Sequence, residues 1–286
     1  MRHTSRWDYD YTGGDSNGEL NNLKDKTVAI IGTGATAVQC VPHLAAGAKK
    51  LYVFHRTPSS IDERNNSNTD EQWFQSQKKG WQNDRRENFE GFLTGSFSNK
   101  DLVNDGWTEI FRTILGGLMN NGPSKLKIFS WVISAPFYSD FYKLGMKTYI
   151  RNKFMKFISS KDISQKVEMI DFQKMEKVRK RAEEIVNDPQ TAESLKPYYR
   201  QLCKRPCFHD EYLQSFNNEN VELVDTDGKG VKEINAKGIV HDGKEYEVDC
   251  IIFASGFEVG TDYSRSCLLY TSPSPRDRQK SRMPSS

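Results

Sequence analysis

The sequence feature that most constrains the fold is a glycine-rich turn between a buried strand and a helix. Residues 28–31 form a continuous apolar run, which is typical of a parallel strand covered on both faces. The turn 32–37 follows directly, and apolar residues then recur at helical spacing up to Gly47, at Val38, Val41 and Leu44. A second apolar run, Leu51–Phe54, completes a β-α-β unit. The sequence therefore predicts an α/β fold that begins with a dinucleotide-binding unit.

The residue types of this turn suit the binding of a pyrophosphate. A first glycine permits a tight turn, a second allows close approach of the backbone, and a small third residue lets the helix pack on the strand. The helix N-terminus then offers free N–H groups and the positive end of its dipole to the phosphates. All six residues are candidates for cofactor binding: Gly32, Thr33, Gly34, Ala35, Thr36 and Ala37.

The end of the second strand indicates which dinucleotide would bind. Sites that prefer NAD place a carboxylate there to bind the ribose 2′-hydroxyl, whereas this chain reads His55-Arg56-Thr57-Pro58. Arg56 could hold a 2′-phosphate through bidentate, charge-assisted hydrogen bonds, and Thr57 could add a hydroxyl. The sequence predicts NADP(H), with an exposed surface arginine as the plainer alternative for Arg56.

The rest of the chain shows three kinds of sequence. Residues 62–200 are rich in charged and aromatic residues and are predicted to be mostly helical, with an amphipathic helix over 159–186. Strands are predicted at 221–224, in a hairpin around Asp242-Gly243, and at 249–253. The Ser/Pro/Arg-rich end is expected to be disordered.

Composition excludes several other classes of protein. The 41 basic and 38 acidic residues nearly cancel, which disfavours a nucleic-acid-binding surface. No apolar run is long enough for a membrane span, and the N-terminus lacks the apolar region of a secretory signal. The 5 cysteines do not form a disulfide framework, and Cys203, Cys207 and His209 lack the second ligand pair of a zinc site. We therefore expect no metal and a cytoplasmic location.

Three separated segments resemble the Baeyer–Villiger and related flavin monooxygenases. His3-Thr-Ser-Arg-Trp7-Asp8 is similar to the end of that family's fingerprint, whose leading Phe-x-Gly portion would lie before Met1. Residues 28–58 resemble the NADPH-binding half of the family. The resemblance makes His3, Trp7 and Asp8 candidates for a linker that couples the domains, with fraying of the chain end as the alternative.

The third segment carries the residues for which the resemblance implies chemistry. Residues 203–223 and 249–262 resemble the catalytic-arginine segment and the closing Ala-Thr-Gly motif, with Ser255 in place of threonine. By this resemblance Arg205 would stabilise negative charge that develops on oxygen, and Lys204 would contact the phosphate or ribose of NADP. Ser255, Gly256 and Phe257 would lie near the flavin.

The resemblance also implies a domain organisation. The fold would be a Rossmann-like NADP-binding domain with a helical insertion and a partial second, FAD-type sheet. We expect a linker with the fingerprint remnant at 1–23, the NADP-binding domain at 24–205 with its insertion at about 62–200, the C-terminal part of the FAD-binding domain at 206–265, and a disordered, non-native tail at 266–286, which resembles translated adapter sequence. The FAD-type strands are expected to lack most of their partners.

The implied activity is that of a monooxygenase that uses NADPH, FAD and O₂ on a small-molecule ketone or heteroatom. The family's FAD-binding Gly-x-Gly-x-x-Gly motif does not occur in this sequence, so we expect an incomplete chain that is inactive alone. One alternative is an NADP-binding module without flavin chemistry. Another is an NADP-dependent dehydrogenase, for which Tyr149 and Lys153 have the right spacing but no matching upstream serine.

Overall fold

A parallel sheet of five strands lies at the centre of the part of the chain that the structure describes. The structure is a computed structural model and describes residues 1–66, 68–94, 100–110, 112 and 161–256. In chain order the strands are β1 (Arg2–His3), β2 (Thr27–Ile31), β3 (Lys50–His55), β4 (Ile61–Asp62), β5 (Cys207–Phe208), β6 (Val221–Asp225), β7 (Glu233–Ile234), β8 (Gly238–His241), β9 (Lys244–Glu247) and β10 (Cys250–Phe253).

The helices lie between and around these strands. They are α1 (Tyr9–Thr12), α2 (Ala35–Gly47), α3 (Glu71–Gln75), α4 (Trp81–Thr94), α5 (Lys161–Ile185) and α6 (Pro189–Ser194). The β2-α2-β3 unit confirms the strand, helix and strand that the sequence predicts, including the helix end at Gly47. No helix within the described ranges is both long and apolar enough to span a membrane.

The central sheet has the order β1-β10-β2-β3-β6, and every neighbouring pair is parallel. Successive side chains of a strand point to opposite faces, so Val28 and Ile30 pack with α2 while Ala29 packs on the other side. That second face is covered by the antiparallel sheet β7-β8-β9, through Ile239 and Tyr246. Both faces are buried, which explains the continuously apolar strands.

The structure corrects the sequence-based placement of two strands. The sequence-based prediction places residues 206–265 in a second, FAD-type sheet, but β6 pairs with β3 and β10 pairs with β2, in the sheet of the β2-α2-β3 unit. The expectation that these strands lack partners was therefore wrong. An apolar run fits any parallel strand buried on both faces, so local pattern identifies the strand without identifying its neighbour. The predicted hairpin is confirmed as β8 and β9 around Asp242-Gly243.

The described part of the helical insertion packs on the α2 side of the sheet. Ala182 and Val186, at the end of α5, belong to the same core as α2. Lys174 on α5 bridges to Asp62 at 2.5 Å and to Glu109 at 3.4 Å. The predicted amphipathic helix is present over Lys161–Ile185. Its first two predicted residues, and the predicted helices over 113–158, lie outside the described residues.

The chain divides into two compact units, Met1–Ala254 and Ser255–Ser286. The first unit includes the 1–23 segment, because Leu20 and Leu23 are buried in the main core. Of the second unit only Ser255 and Gly256 are described, so the tail predicted at 266–286 lies outside the described residues. The sequence-based domain boundaries otherwise stay predictions.

Candidate functional site

The glycine turn joins β2 to α2, and the space beside Gly34 is open. Gly32 has a φ of +114°, which an L side chain rarely adopts, and its N–H donates to the carbonyl of Phe54 at 2.9 Å. Gly34 is the N-cap of α2 and carries no side chain to cap the helix. A Cβ atom built on Gly34 would meet nothing within 4 Å. No side chain caps the start of α2 and the position beside Gly34 is open, which suits the approach of a phosphate to the helix N-terminus.

The side chains of Thr33 and Ala37 are buried and hold the turn against the rest of the fold. Thr33 is 5% exposed, and its hydroxyl donates to the carbonyl of Thr57 at 3.0 Å. Ser59 donates in return to the carbonyl of Thr33. Ala37 is fully buried between α2 and the sheet. The side chains of Thr33 and Ala37 thus fix the turn, and any contact they make with a ligand would come from their backbone.

The chain after β3 presents two exposed residues at the carboxyl end of the sheet, Arg56 and Thr57. Among the described residues, Arg56 forms no ion pair with a carboxylate. His55, directly before it, is fully buried, and its Nε2 lies 3.4 Å from Asp225 Oδ2. Burial lowers the pKa of His55, although Asp225 opposes that shift. Arg56 therefore lies directly after the end of β3, with no carboxylate partner in the part of the chain that the structure describes.

Lys204 comes from a distant part of the chain to the same place. Its ammonium group donates a hydrogen bond to the hydroxyl of Thr57 and lies 4.8 Å from the centre of the Tyr199 ring. Partial burial and the nearby charge of Arg56 lower the pKa of Lys204. Two cations and a hydroxyl thus converge at the end of β3. Sequence analysis predicted Arg56 and Thr57 together and Lys204 from a separate segment, and only the structure brings Lys204 to the other two.

A short parallel pairing explains why Lys204 reaches Thr57. Strand β5 runs beside β4, the strand that follows the Arg56 loop. The N–H of Cys207 donates to the carbonyl of Ser60 at 3.0 Å, and the N–H of His209 donates to the carbonyl of Asp62 at 2.9 Å. The residues just before β5, Lys204 and Arg205, are therefore held against the loop that leaves β3.

Arg205 stands in a groove at the N-terminus of α2. The groove has a volume of about 510 Å³. Its lining includes Thr36, Gln39, Arg64, Trp107, Arg205 and Phe208. Trp107 and Phe208 meet edge to face, with ring centres 5.4 Å apart, and Arg64 lies 3.5 Å from Asp105. Arg205 is exposed and lines this groove together with Ala35 and Thr36 at the start of α2.

Sequence reasoning missed several residues of this region. Tyr199, Arg64, Trp107 and Phe208 belong to no glycine or strand pattern, and Trp107 lies within the insertion. Only Tyr199 carried a usable signal, since an aromatic residue five positions before Lys204 is a potential partner for the ammonium group.

The fingerprint residues belong to an ordered segment that extends the sheet. Strand β1 pairs with β10, with His3 opposite Phe253. Asp8 caps α1 by accepting from the N–H of Tyr11 at 3.0 Å, and it also pairs with Arg2 at 2.8 Å. The indole N–H of Trp7 donates to the hydroxyl of Thr12 at 3.1 Å. These contacts oppose the alternative of a frayed end, while the coupling of domains stays a prediction.

The residues of the closing motif are described only in part. Ser255 and Gly256 follow β10, and both are exposed. Gly256 has a φ of +83°, and a Cβ atom there would meet nothing within 4 Å. Phe257 lies outside the described residues. The predicted contact of these residues with a flavin stays a prediction.

Comparison with known proteins gives consistent matches. No protein-family model matches the sequence. The chain is 48% identical over 263 residues to a Baeyer–Villiger monooxygenase of Stachybotrys chlorohalonatus, covering 92% of this chain and 37% of that protein. It is also 48% identical over 256 residues to a neopentalenolactone D synthase of Streptomyces avermitilis, covering 90% of this chain and 38% of that protein.

Solved structures point the same way. The polycyclic ketone monooxygenase of the fungus Thermothelomyces thermophila matches with a TM-score of 0.66 and 40% identity, over 89% of this chain and 37% of that one. This chain thus spans well under half the length of the relatives it matches. Over about 90% of its length, the chain is therefore similar to one part of the Baeyer–Villiger monooxygenases.

Proposed function

We propose that this chain is the NADPH-binding part of a flavin-dependent monooxygenase. The whole protein would transfer one oxygen atom from O₂ into a ketone, or onto a heteroatom, with NADPH and FAD as cofactors. The chain alone is proposed to bind NADPH without turnover, because its sequence contains one glycine turn of the dinucleotide-binding type. A cytoplasmic location is also proposed, from the scattered cysteines and the apolar pattern of the sequence.

The observation that carries the proposal is the pair of cations at the end of β3. Arg56 and Lys204 lie beside Thr57, and neither forms an ion pair with a carboxylate in the described part of the chain. Two neighbouring cations repel each other, so their placement favours a dianionic group between them. The 2′-phosphate of NADP has that charge, and the open N-terminus of α2 suits its pyrophosphate.

Arg205 supports the assignment of the oxidative chemistry. FAD, when bound, would supply the reaction with O₂ and with the hydride of NADPH. In the groove beside α2, Arg205 would contribute a permanent positive charge that stabilises negative charge on oxygen during transfer. Lys204 would hold the phosphate end of the nucleotide while the adjacent Arg205 faces the reacting end. Ser255, Gly256 and Phe257 would approach the flavin.

The substrate class follows from the relatives only in outline. The matched structure is named a polycyclic ketone monooxygenase, which describes that protein. For the whole protein to which this chain belongs, we propose a small-molecule ketone as substrate, with oxidation of a heteroatom as the alternative. The alternative of a dehydrogenase depends on Tyr149 and Lys153, which lie outside the described residues.

The proposal is tested by measuring binding of NADPH and NADH to the purified chain. We expect NADPH to bind more tightly, and we expect Arg56→Ala to weaken NADPH binding about tenfold. That value corresponds to one charge-assisted hydrogen-bonding contact of about 1.4 kcal/mol at an exposed site. The affinity for NADH should change less than twofold.

Arg86→Ala is the matched control, because Arg86 is an exposed arginine of α4 that pairs only with Glu90 among the ion pairs of the described residues. It should leave both affinities unchanged. Equal binding of the two nucleotides by the wild-type chain would overturn the proposal. Tight uptake of FAD with NADPH consumption, followed by the flavin absorption spectrum, would contradict the claim that the chain is inactive alone.

A further inference from the structure

The aromatic ring of Tyr199 packs against the ammonium group of Lys204. The ammonium nitrogen of Lys204 lies 4.8 Å from the centre of the Tyr199 ring, on the ring face. The same nitrogen donates to the hydroxyl of Thr57. The ring and the hydroxyl therefore hold the end of a side chain that otherwise has many rotamers.

The ring of Tyr199 is itself fixed to the loop that carries Thr57. Its hydroxyl accepts a hydrogen bond from the backbone N–H of Ser60 at 2.8 Å. The carbonyl of Ser60 is bound in turn by the N–H of Cys207, three residues after Lys204. Tyr199 is half-buried. Its hydroxyl is therefore tied to the backbone of the loop that carries Thr57, three residues after that threonine.

The ring also offsets the electrostatic repulsion between Lys204 and Arg56. Arg56 lies close enough for its charge to disfavour the charged form of Lys204. Repulsion of this kind would drive a flexible ammonium group towards solvent. The negative face of an aromatic ring attracts a cation at this distance and keeps it in place. The side chain of Lys204 would then already be ordered before the phosphate binds, which lowers the entropic cost of binding.

We propose that Tyr199 is a positioning residue for Lys204 and contributes through it to the choice of NADPH over NADH. The inference rests on the proposed nucleotide site and adds a residue that touches neither the nucleotide nor the reacting groups. A residue that acted only on stability would affect the binding of both nucleotides equally. If Tyr199 acts through Lys204, its replacement instead changes the ratio of the NADPH and NADH dissociation constants.

The test measures the dissociation constants of NADPH and NADH for the full chain and its variants. Tyr199→Leu removes the ring, and we expect it to weaken NADPH about fivefold while NADH changes less than twofold. Tyr199→Phe keeps the ring but loses the hydroxyl that accepts from Ser60, so we expect it to weaken NADPH by about twofold, less than Tyr199→Leu does. Tyr198→Leu is the matched control, because Tyr198 is 70% exposed and stacks on Arg179. It should leave the ratio unchanged.

A double-mutant cycle shows whether Tyr199 acts through Lys204. In a Lys204→Ala background, Tyr199→Leu should have no further effect on NADPH binding. An additive loss in that background, or an unchanged ratio in Tyr199→Leu, overturns the inference. Should Tyr199→Leu not fold, Tyr199→Met fills a similar volume without a ring and takes its place, with the same expected ratio.

The two proposals fail in different ways. Absence of NADPH preference in the wild-type chain contradicts the nucleotide site itself. An NADPH preference that Arg56→Ala removes and Tyr199→Leu leaves intact contradicts only the role of Tyr199.

Discussion

Replacing each glycine of the β2–α2 turn separates its two physical roles. Gly32 has a φ of +114°, whereas Gly34 has an ordinary φ of −72° and open space where a Cβ would lie. We predict that Gly32→Ala destabilises the chain and that Gly34→Ala does not, although Gly34→Ala abolishes most nucleotide binding. The two variants should differ because Gly32 is needed for its backbone conformation, whereas Gly34 is proposed to leave room for the ligand.

The magnitudes follow from the local geometry. An alanine held at the φ of Gly32 costs about 1–3 kcal/mol. At roughly 2–4 °C per kcal/mol for a chain of this size, Tm should fall by several degrees. For Gly34, alanine loses the N-cap preference of glycine but restricts the unfolded chain, and these two effects of about 1 kcal/mol or less nearly cancel. A methyl group in the space proposed for the phosphate costs about 1–3 kcal/mol of binding, which is roughly a 5- to 150-fold loss.

Two assays are needed for this prediction. Thermal unfolding followed by circular dichroism gives the stability of both variants, and calorimetric titration with NADPH gives the affinity of Gly34→Ala. The reasoning is refuted if Gly34→Ala binds NADPH as wild type does, since the space beside the helix would then not hold the pyrophosphate. It is also refuted if Gly34→Ala and Gly32→Ala lower Tm by the same amount.

Further predictions concern the supports of the site. Thr33→Val removes the donor to the carbonyl of Thr57 and should lower the free energy of unfolding by about 1 kcal/mol, measured by urea denaturation. Asp210 accepts from the backbone N–H groups of residues 64–66, and these bonds lower its pKa although burial opposes them. Its stabilisation is therefore complete above the unfolded pKa of an aspartate and is lost as pH falls through the lower folded value. Asp210→Asn should destabilise by about 1 kcal/mol at pH 7, because the carboxylate is partly solvated, with the difference from wild type closing in acid; an equal difference at every pH would contradict this account.

Much of the nucleotide-binding unit could be predicted from local sequence. The positions of β2, α2 and β3, the tight turn at Gly32 and the hairpin at Asp242-Gly243 all follow from patterns within a few residues. Such patterns are reliable because strand alternation, helical spacing and glycine conformation are properties of the chain over short distances. The family resemblance added Lys204 and Arg205 as candidates without showing where they would lie.

Contacts between distant segments were decided by tertiary structure alone. The pairing of β5 with β4 brings Lys204 to Thr57, and no local pattern encodes the distance between residues 147 positions apart. The same holds for β6 and β10, whose apolar sequences fit a sheet but do not specify which one. Sequence by itself determined that this chain has a turn suited to a pyrophosphate and an arginine where NAD sites have an acid. Only the packed sheet determined that Lys204 and the Tyr199 ring lie beside Thr57, because side chains from separate loops meet only when their strands are paired.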